Sequence, residues 1–166
     1  MNFEVLSGLF VRSPRLFQLA DMLSFAQPQK IFLKGLHGSS PQFIISSIFG
    51  HPSCSQLNHL VILNDAEEAA YFHNTLENLT KALDLFYFPY SFKNRKNFRL
   101  LNSSHVMLRT ETLMKLSAGG NKKIIVTYPE ALSEKVVLQK TLTDSIIQIK
   151  TGDSIDLAGL MEKLVN

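Results

Sequence analysis

Residues 59–83 read HLVILNDAEEAAYFHNTLENLTKAL, an apolar run followed by a polar turn and a long amphipathic segment. The run HLVILN at 59–64 is nearly continuous in hydrophobicity, which is typical of a strand covered on both faces. From Ala69 to Leu83 the apolar residues recur at helical spacing, and Asn64 and Glu67 are spaced as a capping box. The stretch therefore predicts a strand, a turn and a helix.

Similar units lie on either side of this stretch. Helical patterns run from Ser13 to Gln27 and from His105 to Leu116, and Gly119-Gly120 follows the second. Strands separated by helices pair in parallel through right-handed crossovers. We therefore predict an α/β fold, a three-layer α/β/α domain with a mostly parallel sheet. The other predicted strands are KIFLKGL at 30–36, LFYF at 85–88, KKIIVTY at 122–128 and SIIQIK at 145–150.

Composition excludes several classes of protein. The 166 residues are 45% apolar and 19% charged, with a net charge of +3, as in an ordinary globular chain. Cys54 has no second cysteine to pair with, which favours a reducing, cytoplasmic setting. Glu4 stands where a secretory signal would be basic, and no apolar run reaches the roughly 18 residues of a membrane helix. We therefore expect that the chain is neither secreted nor inserted into a membrane.

The segment LKGLHGSSPQF at 33–43 has the outline of a phosphate-binding loop without its working residues. A P-loop needs glycines around the phosphates, a lysine on the β/γ oxygens and a hydroxyl on Mg²⁺. When the P-loop pattern is placed on this segment with Gly35 as its first glycine, Ser40 stands in place of the last glycine, Pro41 in place of the lysine and Gln42 in place of the hydroxyl residue. Tight ATP binding is therefore not expected. Ser40 is instead expected to cap a helix that has Pro41 in its first position. The degenerate loop comprises Gly35, Gly38, Ser39, Ser40, Pro41 and Gln42.

Two alternatives for this loop stay open. Exposed N–H groups and the helix dipole could still hold an anion weakly. A nucleotide-dependent enzyme or helicase-like domain could also use an atypical loop, with the missing lysine supplied by Lys34 or Lys122. His37 is interpreted as a loop histidine, because no partner for catalysis lies near it in sequence.

Three other groups of residues invite a functional interpretation. The loop YSFKNRKNFR at 90–99 interleaves basic and aromatic residues, so it is either a solvated loop or a nucleic-acid contact through Lys93, Arg95, Lys96 and Arg99. The serines beside His37 and His105 lie in no nucleophile motif. The acidic residues Asp65, Glu67 and Glu68 are expected to complement a helix dipole rather than to form a catalytic pair. We predict no catalytic residue and no metal site.

The order of these segments resembles a known family. LKGLHGSSPQFIISSIF, HLVILNDAEEAAYFHNTLENL, YFPYSF and MLRTETLMKLSAGGNKKIIVTYPEALSEKV, taken together, resemble the N-terminal module of bacterial transcription-repair coupling factors. That module is similar to the first domain (1a) of the excision-repair helicase UvrB, which has a P-loop, RecA-like fold. UvrB has an intact P-loop whereas the coupling factors have lost it, so Pro41 and Gln42 fit the coupling-factor branch.

The resemblance implies a function for the whole protein and a part for this chain. Full-length coupling factors displace RNA polymerase stalled at a DNA lesion by ATP-driven translocation, and they recruit UvrA for nucleotide excision repair. The motor, with its ATP and Mg²⁺, and the polymerase-binding domain would lie outside these residues. This chain would be non-catalytic and without a cofactor, and it would also contact the C-terminal part of its own protein.

The resemblance also implies a division of the chain. Residues 1–143 would form the degenerate P-loop-like domain. By the same resemblance, residues 144–166 would open a second, small domain that binds UvrA. The apolar face of the helix near Leu160 has no following element to bury it, so we expect this domain to be truncated. No UvrA-contacting residue can be assigned from the sequence.

Overall fold

The computed structural model of the chain describes residues 3–25, 27–80, 84–92, 100–120, 122–138, 140–141, 147, 150–152 and 154–165. The chain divides into two units, Met1–Val136 and Val137–Asn166. The predicted boundary at residues 143 and 144 lies outside the described residues and stays a prediction.

The first unit alternates helices and short strands. Its elements are α1 (Phe3–Val11), α2 (Pro14–Ser24), α3 (Ser40–Gly50), a 3₁₀ turn (Pro52–Cys54), β1 (His59–Ile62), α4 (Ala66–Thr80), β2 (Leu85–Tyr87), α5 (Ser103–Ser117), β3 (Ile124–Thr127) and α6 (Pro129–Ser133). The second unit contains α7 (Leu157–Val165). In the described part of the chain, no helix combines the length and apolar character that crossing a membrane requires.

The three strands form a parallel sheet in the order β1-β3-β2. Ile124 is the register partner of His59 on one side and of Leu85 on the other. The central strand IIVT is buried along its whole length, which explains its unbroken run of apolar and β-branched residues. The predicted mixed α/β class, the parallel sheet and these three strands are confirmed.

Helices lie on both faces of the sheet, but one face of β1 stays exposed at Leu60 and Ile62, so the prediction that this strand is covered on both faces is wrong. The Tyr87 hydroxyl donates to the backbone oxygen of Ala66 in α4 at 3.2 Å. The next residue, Phe88, lies under the Arg109 guanidinium of α5, 4.0 Å from the ring centre. Phe88 continues the pairing of β2 with β3, because its N–H donates to the oxygen of Val126 at 2.9 Å. Since successive residues of an extended chain point to opposite faces, α4 and α5 pack on opposite sides of the sheet.

Two apolar cores hold the first unit together. The larger one joins the sheet to α4 and α6 around Leu76, Ile124 and Val126, all fully buried. The smaller one joins α2 to α3 and the 3₁₀ turn around Ala20, Ile48 and the unpaired thiol of Cys54. Burial of each large aliphatic side chain stabilises the fold by about 1.5–3 kcal/mol.

One predicted strand is wrong. Residues 30–36 form no strand, and Phe32 is 83% exposed. A three-residue apolar run between two lysines becomes a strand only if another strand pairs with it, and local sequence does not specify that partner. The strand predicted at 145–150 falls almost wholly outside the described residues, and residues 147 and 150 are not in a strand.

Candidate functional site

The glycine loop forms a tight turn that leads into α3. Gly35 and Gly38 have φ angles of 76° and 55°, the left-handed region that favours glycine. The backbone N–H of Ser40 donates to the oxygen of His37 at 3.1 Å, and the N–H of His37 donates to the Ser40 hydroxyl at 2.9 Å. The loop is therefore closed by hydrogen bonds between its own residues.

The predicted cap of α3 needs correction. Ser39 occupies the N-cap position and makes no side-chain cap bond, while Ser40 is the first residue of the helix and Pro41 the second. The Ser40 hydroxyl accepts the N–H of His37 in the turn before the helix, a local bond from backbone to side chain that is common for serine near helix starts. The start of α3 lies one residue earlier than the sequence suggested.

The two residues that replace the P-loop lysine and hydroxyl offer little to a phosphate. Pro41 has no N–H to donate. Gln42 is 4% exposed, and its Oε1 atom is buried without a hydrogen-bond partner. Because the Gln42 side chain is buried, it is not exposed to a ligand in solution at the loop.

Lys34 and Lys122, which could supply the missing P-loop lysine, lie at different distances from the glycine loop. The Lys122 ammonium is 5.4 Å from the ring centre of Phe49, near the end of α3. A helix rises about 1.5 Å per residue, so Phe49 lies roughly 12 Å along the axis from Pro41. Lys122 is therefore at the opposite end of α3 from the glycine loop, while Lys34 is exposed just before it.

Ligands of parallel α/β sheets usually bind beyond the carboxyl ends of the strands, and here Arg109 occupies that region. Its guanidinium donates to the oxygens of Pro89 and Ala131, both at 2.9 Å. It also lies 3.5 Å from a carboxylate oxygen of Glu134. Burial lowers the pKa of Arg109, and the charge of Glu134 opposes that shift. The segments after β2 and β3 are thus tied to α5 by one side chain.

Further hydrogen bonds tie the same two segments together. The second oxygen of Glu134 accepts the N–H of Ser91 at 2.8 Å, and the Tyr128 hydroxyl accepts the N–H of Tyr90 at 2.8 Å. The Thr127 hydroxyl donates to the oxygen of Phe88 at 2.8 Å. The carboxyl ends of β2 and β3 are therefore held by groups of the protein itself.

The Arg109–Glu134 pair was not predicted from the sequence. A signal was present, because Arg109 falls on the buried face of α5, three residues before the buried Thr112. A charge on an apolar face needs a buried partner, but nothing in the sequence points to Glu134 as that partner.

The serines near His105 form no nucleophilic arrangement with it in the described geometry. The Nδ1 atom of His105 is 2.8 Å from the backbone oxygen of Tyr90. That contact ties the start of α5 to the segment after β2. His105 is thereby assigned a packing role.

The acidic cluster at the start of α4 caps that helix, with a shift of one residue from the prediction. The N–H of Glu68 donates to Asp65 at 2.8 Å, and the Glu68 carboxylate accepts from the backbone and the side chain of Asn64 at 3.0 and 2.7 Å. The cap therefore uses Asp65 and Glu68 rather than Asn64 and Glu67. Adjacent glutamates made the two registers hard to distinguish from sequence.

The basic residues Lys93, Arg95, Lys96 and Arg99 lie outside the described residues, so their predicted contact with nucleic acid stays a prediction. On either side of them, Phe92 and Leu101 form an antiparallel bridge. Comparison of the chain with protein-family models, with curated proteins and with solved structures finds no match.

Proposed function

We propose that this chain is a non-catalytic interaction module, similar to the N-terminal UvrB-like module of bacterial transcription-repair coupling factors. The proposal includes a P-loop, RecA-like ancestry for the sheet and the glycine loop. It rests on the order of the sequence segments, together with a parallel α/β unit in which a glycine turn leads into a helix.

The hydrogen-bonded turn between His37 and Ser40 is the observation that supports the non-catalytic part most directly. Where a P-loop directs backbone donors and a lysine at phosphate, this turn bonds to itself and Pro41 follows it. The Arg109–Glu134 pair supports the same conclusion, because it fills part of the region where α/β domains usually bind ligands.

The rest of the proposal follows from the family. The full-length protein would displace stalled RNA polymerase by ATP-driven translocation on DNA, with ATP and Mg²⁺ bound in a motor elsewhere in that protein. Residues 144–166 would open the domain that recruits UvrA, and the module would pack against the C-terminal part of the same protein. A cytoplasmic location is part of this proposal.

Binding to UvrA tests the proposal. Purified UvrA would be titrated onto the immobilised 166-residue chain, and onto a chain extended by the reading frame that the proposal expects beyond Asn166. We expect saturable binding by the extended chain, and binding at least tenfold weaker by the shorter one. A reading frame that stops near residue 166, or an extended chain that does not bind UvrA, would contradict the proposal.

A further inference from the structure

A cavity of about 330 Å³ lies where α1, α2 and α3 meet the 3₁₀ turn. This volume is at the lower end of the range of small-molecule pockets, which is roughly 300–1,000 Å³. Its lining includes Val11, Phe17, Ser46, Gly50 and His51. The described residues that line it include no Asp, Glu, Lys or Arg, so the wall offers no such side chain as a counterion to a charged ligand.

Two rings form adjoining walls of this cavity. The rings of Phe17 and His51 are 5.4 Å apart between centroids and are inclined at 77°. A flat molecule that stacks on the ring whose edge points at its neighbour therefore presents its own edge to the face of that neighbour, and both contacts are favourable geometries for aromatic groups.

His51, which lines the cavity, also carries a hydrogen-bond donor. Its Nδ1 atom accepts the backbone N–H of Ser53 at 3.3 Å. In a neutral imidazole one nitrogen accepts and the other carries the proton, so this contact assigns the proton of His51 to Nε2. The wall thus combines apolar surface, two rings, the N–H of His51 and the side chains of Ser7 and Ser46.

We propose that this cavity binds an uncharged, planar aromatic molecule of one or two rings that carries a hydrogen-bond acceptor at its edge. The proposal is independent of the glycine loop and of the proposed function, because it rests on residues of α1, α2, α3 and the 3₁₀ turn. The rings would supply most of the binding, and His51 would select ligands with the acceptor.

A suitable probe is 6-propionyl-2-(dimethylamino)naphthalene, a two-ring ketone whose fluorescence shifts to shorter wavelength in apolar surroundings. The chain would be titrated against the probe, and the same titration would use Gly50→Leu. A Cβ at Gly50 meets no atom within 4 Å, so the new side chain can enter the cavity without a backbone clash. The matched control is Ala70→Leu, which adds the same side chain to an exposed position of α4.

We expect saturable binding to the wild-type chain and to Ala70→Leu, and at least tenfold weaker binding to Gly50→Leu. Melting curves of the three proteins would confirm that each is folded. Absence of saturable binding, or equal binding by Gly50→Leu and Ala70→Leu, would overturn the proposal, because exposed apolar patches elsewhere would then account for the fluorescence.

The role of the donor has its own test. His51→Phe keeps a ring in the wall and removes the N–H, so the ketone probe should bind about threefold to tenfold more weakly. Binding of 2-(dimethylamino)naphthalene, which lacks the carbonyl, should not weaken. An equal loss for both probes would show that His51 acts through packing alone and would overturn the assigned acceptor.

Discussion

Among single residues, Arg109 is a buried charge that joins three parts of the first unit. It is 5% exposed and bonds to segments that follow two different strands, while its partner Glu134 is also largely buried. Removing one partner of a buried ion pair leaves the other charged and without its counterion. The pair should therefore affect stability far more than any exposed charge.

We expect Arg109→Met to lower the free energy of unfolding by about 3–5 kcal/mol, the usual cost of breaking a buried pair. Urea denaturation followed by circular dichroism measures this change. Arg15→Met is the control, since Arg15 is exposed in α2 and its loss should cost less than about 0.5 kcal/mol. Similar costs for the two variants would contradict the assigned role of Arg109.

His59 should make stability depend on pH. It lies edge-on to the Phe49 ring at 5.9 Å, its Nε2 atom is buried without a hydrogen-bond partner, and burial lowers its pKa from 6.5. The unfolded chain then binds the proton more readily than the folded one. The contribution of neutral His59 to stability is therefore complete above pH 6.5, and it is lost as the pH falls towards the pKa of His59 in the folded chain.

The test compares urea midpoints at pH 7.5 and 5.5 for the wild type and His59→Phe, which keeps an aromatic ring beside Phe49. The variant should lose less stability on acidification. Part of the dependence should remain, because burial also lowers the pKa of His73 against the opposing charge of Glu77. An unchanged pH dependence in His59→Phe would show that His59 does not contribute.

At the scale of elements, the start of α4 distinguishes two neighbouring glutamates. Glu68 accepts two hydrogen bonds from Asn64, so Glu68→Ala should destabilise the protein by about 1 kcal/mol. Glu67→Ala should cost only a few tenths of a kcal/mol, through the helix dipole. Thermal unfolding of both variants measures the difference, and a larger cost at Glu67 would favour the register predicted from sequence.

The strand β1 has a covered face and an exposed one. Leu60 and Ile62 are 55% and 53% exposed, whereas Val61, on the other face, packs against the larger of the two apolar cores. Leu60→Lys should therefore change the free energy of unfolding by less than about 1 kcal/mol, while Val61→Lys should cost several kcal/mol. Denaturant titration of this matched pair tests the orientation of the strand, and the reverse order of costs would contradict it.

The elements also show how far the sequence determined the structure. The helix at Ala66–Thr80 and the strand at Ile124–Thr127 were predictable because their apolar patterns are long or unbroken. The segment 30–36 was not, because an apolar run forms a strand only when a distant strand pairs with it. The Arg109–Glu134 contact joins residues 25 positions apart, so it too depends on tertiary packing.

At the scale of the whole molecule, two regions that bind ligands in many α/β proteins are held by the protein's own groups. The glycine turn is bonded between His37 and Ser40, and the carboxyl ends of β2 and β3 are tied through Arg109 and Glu134. Pro41 and Gln42 already indicated from sequence that the glycine turn lacks the groups that bind phosphate. The contacts that hold the carboxyl ends of β2 and β3 were found only in the structure.

The melting temperature of the chain in millimolar Mg-ATP shows whether the glycine loop binds a nucleotide, and we expect that it binds none. We expect no shift beyond that caused by Mg²⁺ alone. A P-loop with a dissociation constant near 10 µM would raise the melting temperature by roughly 5–10 °C under these conditions. A saturable rise of that size, retained in Gly8→Ala but lost in Gly38→Ala, would contradict the account.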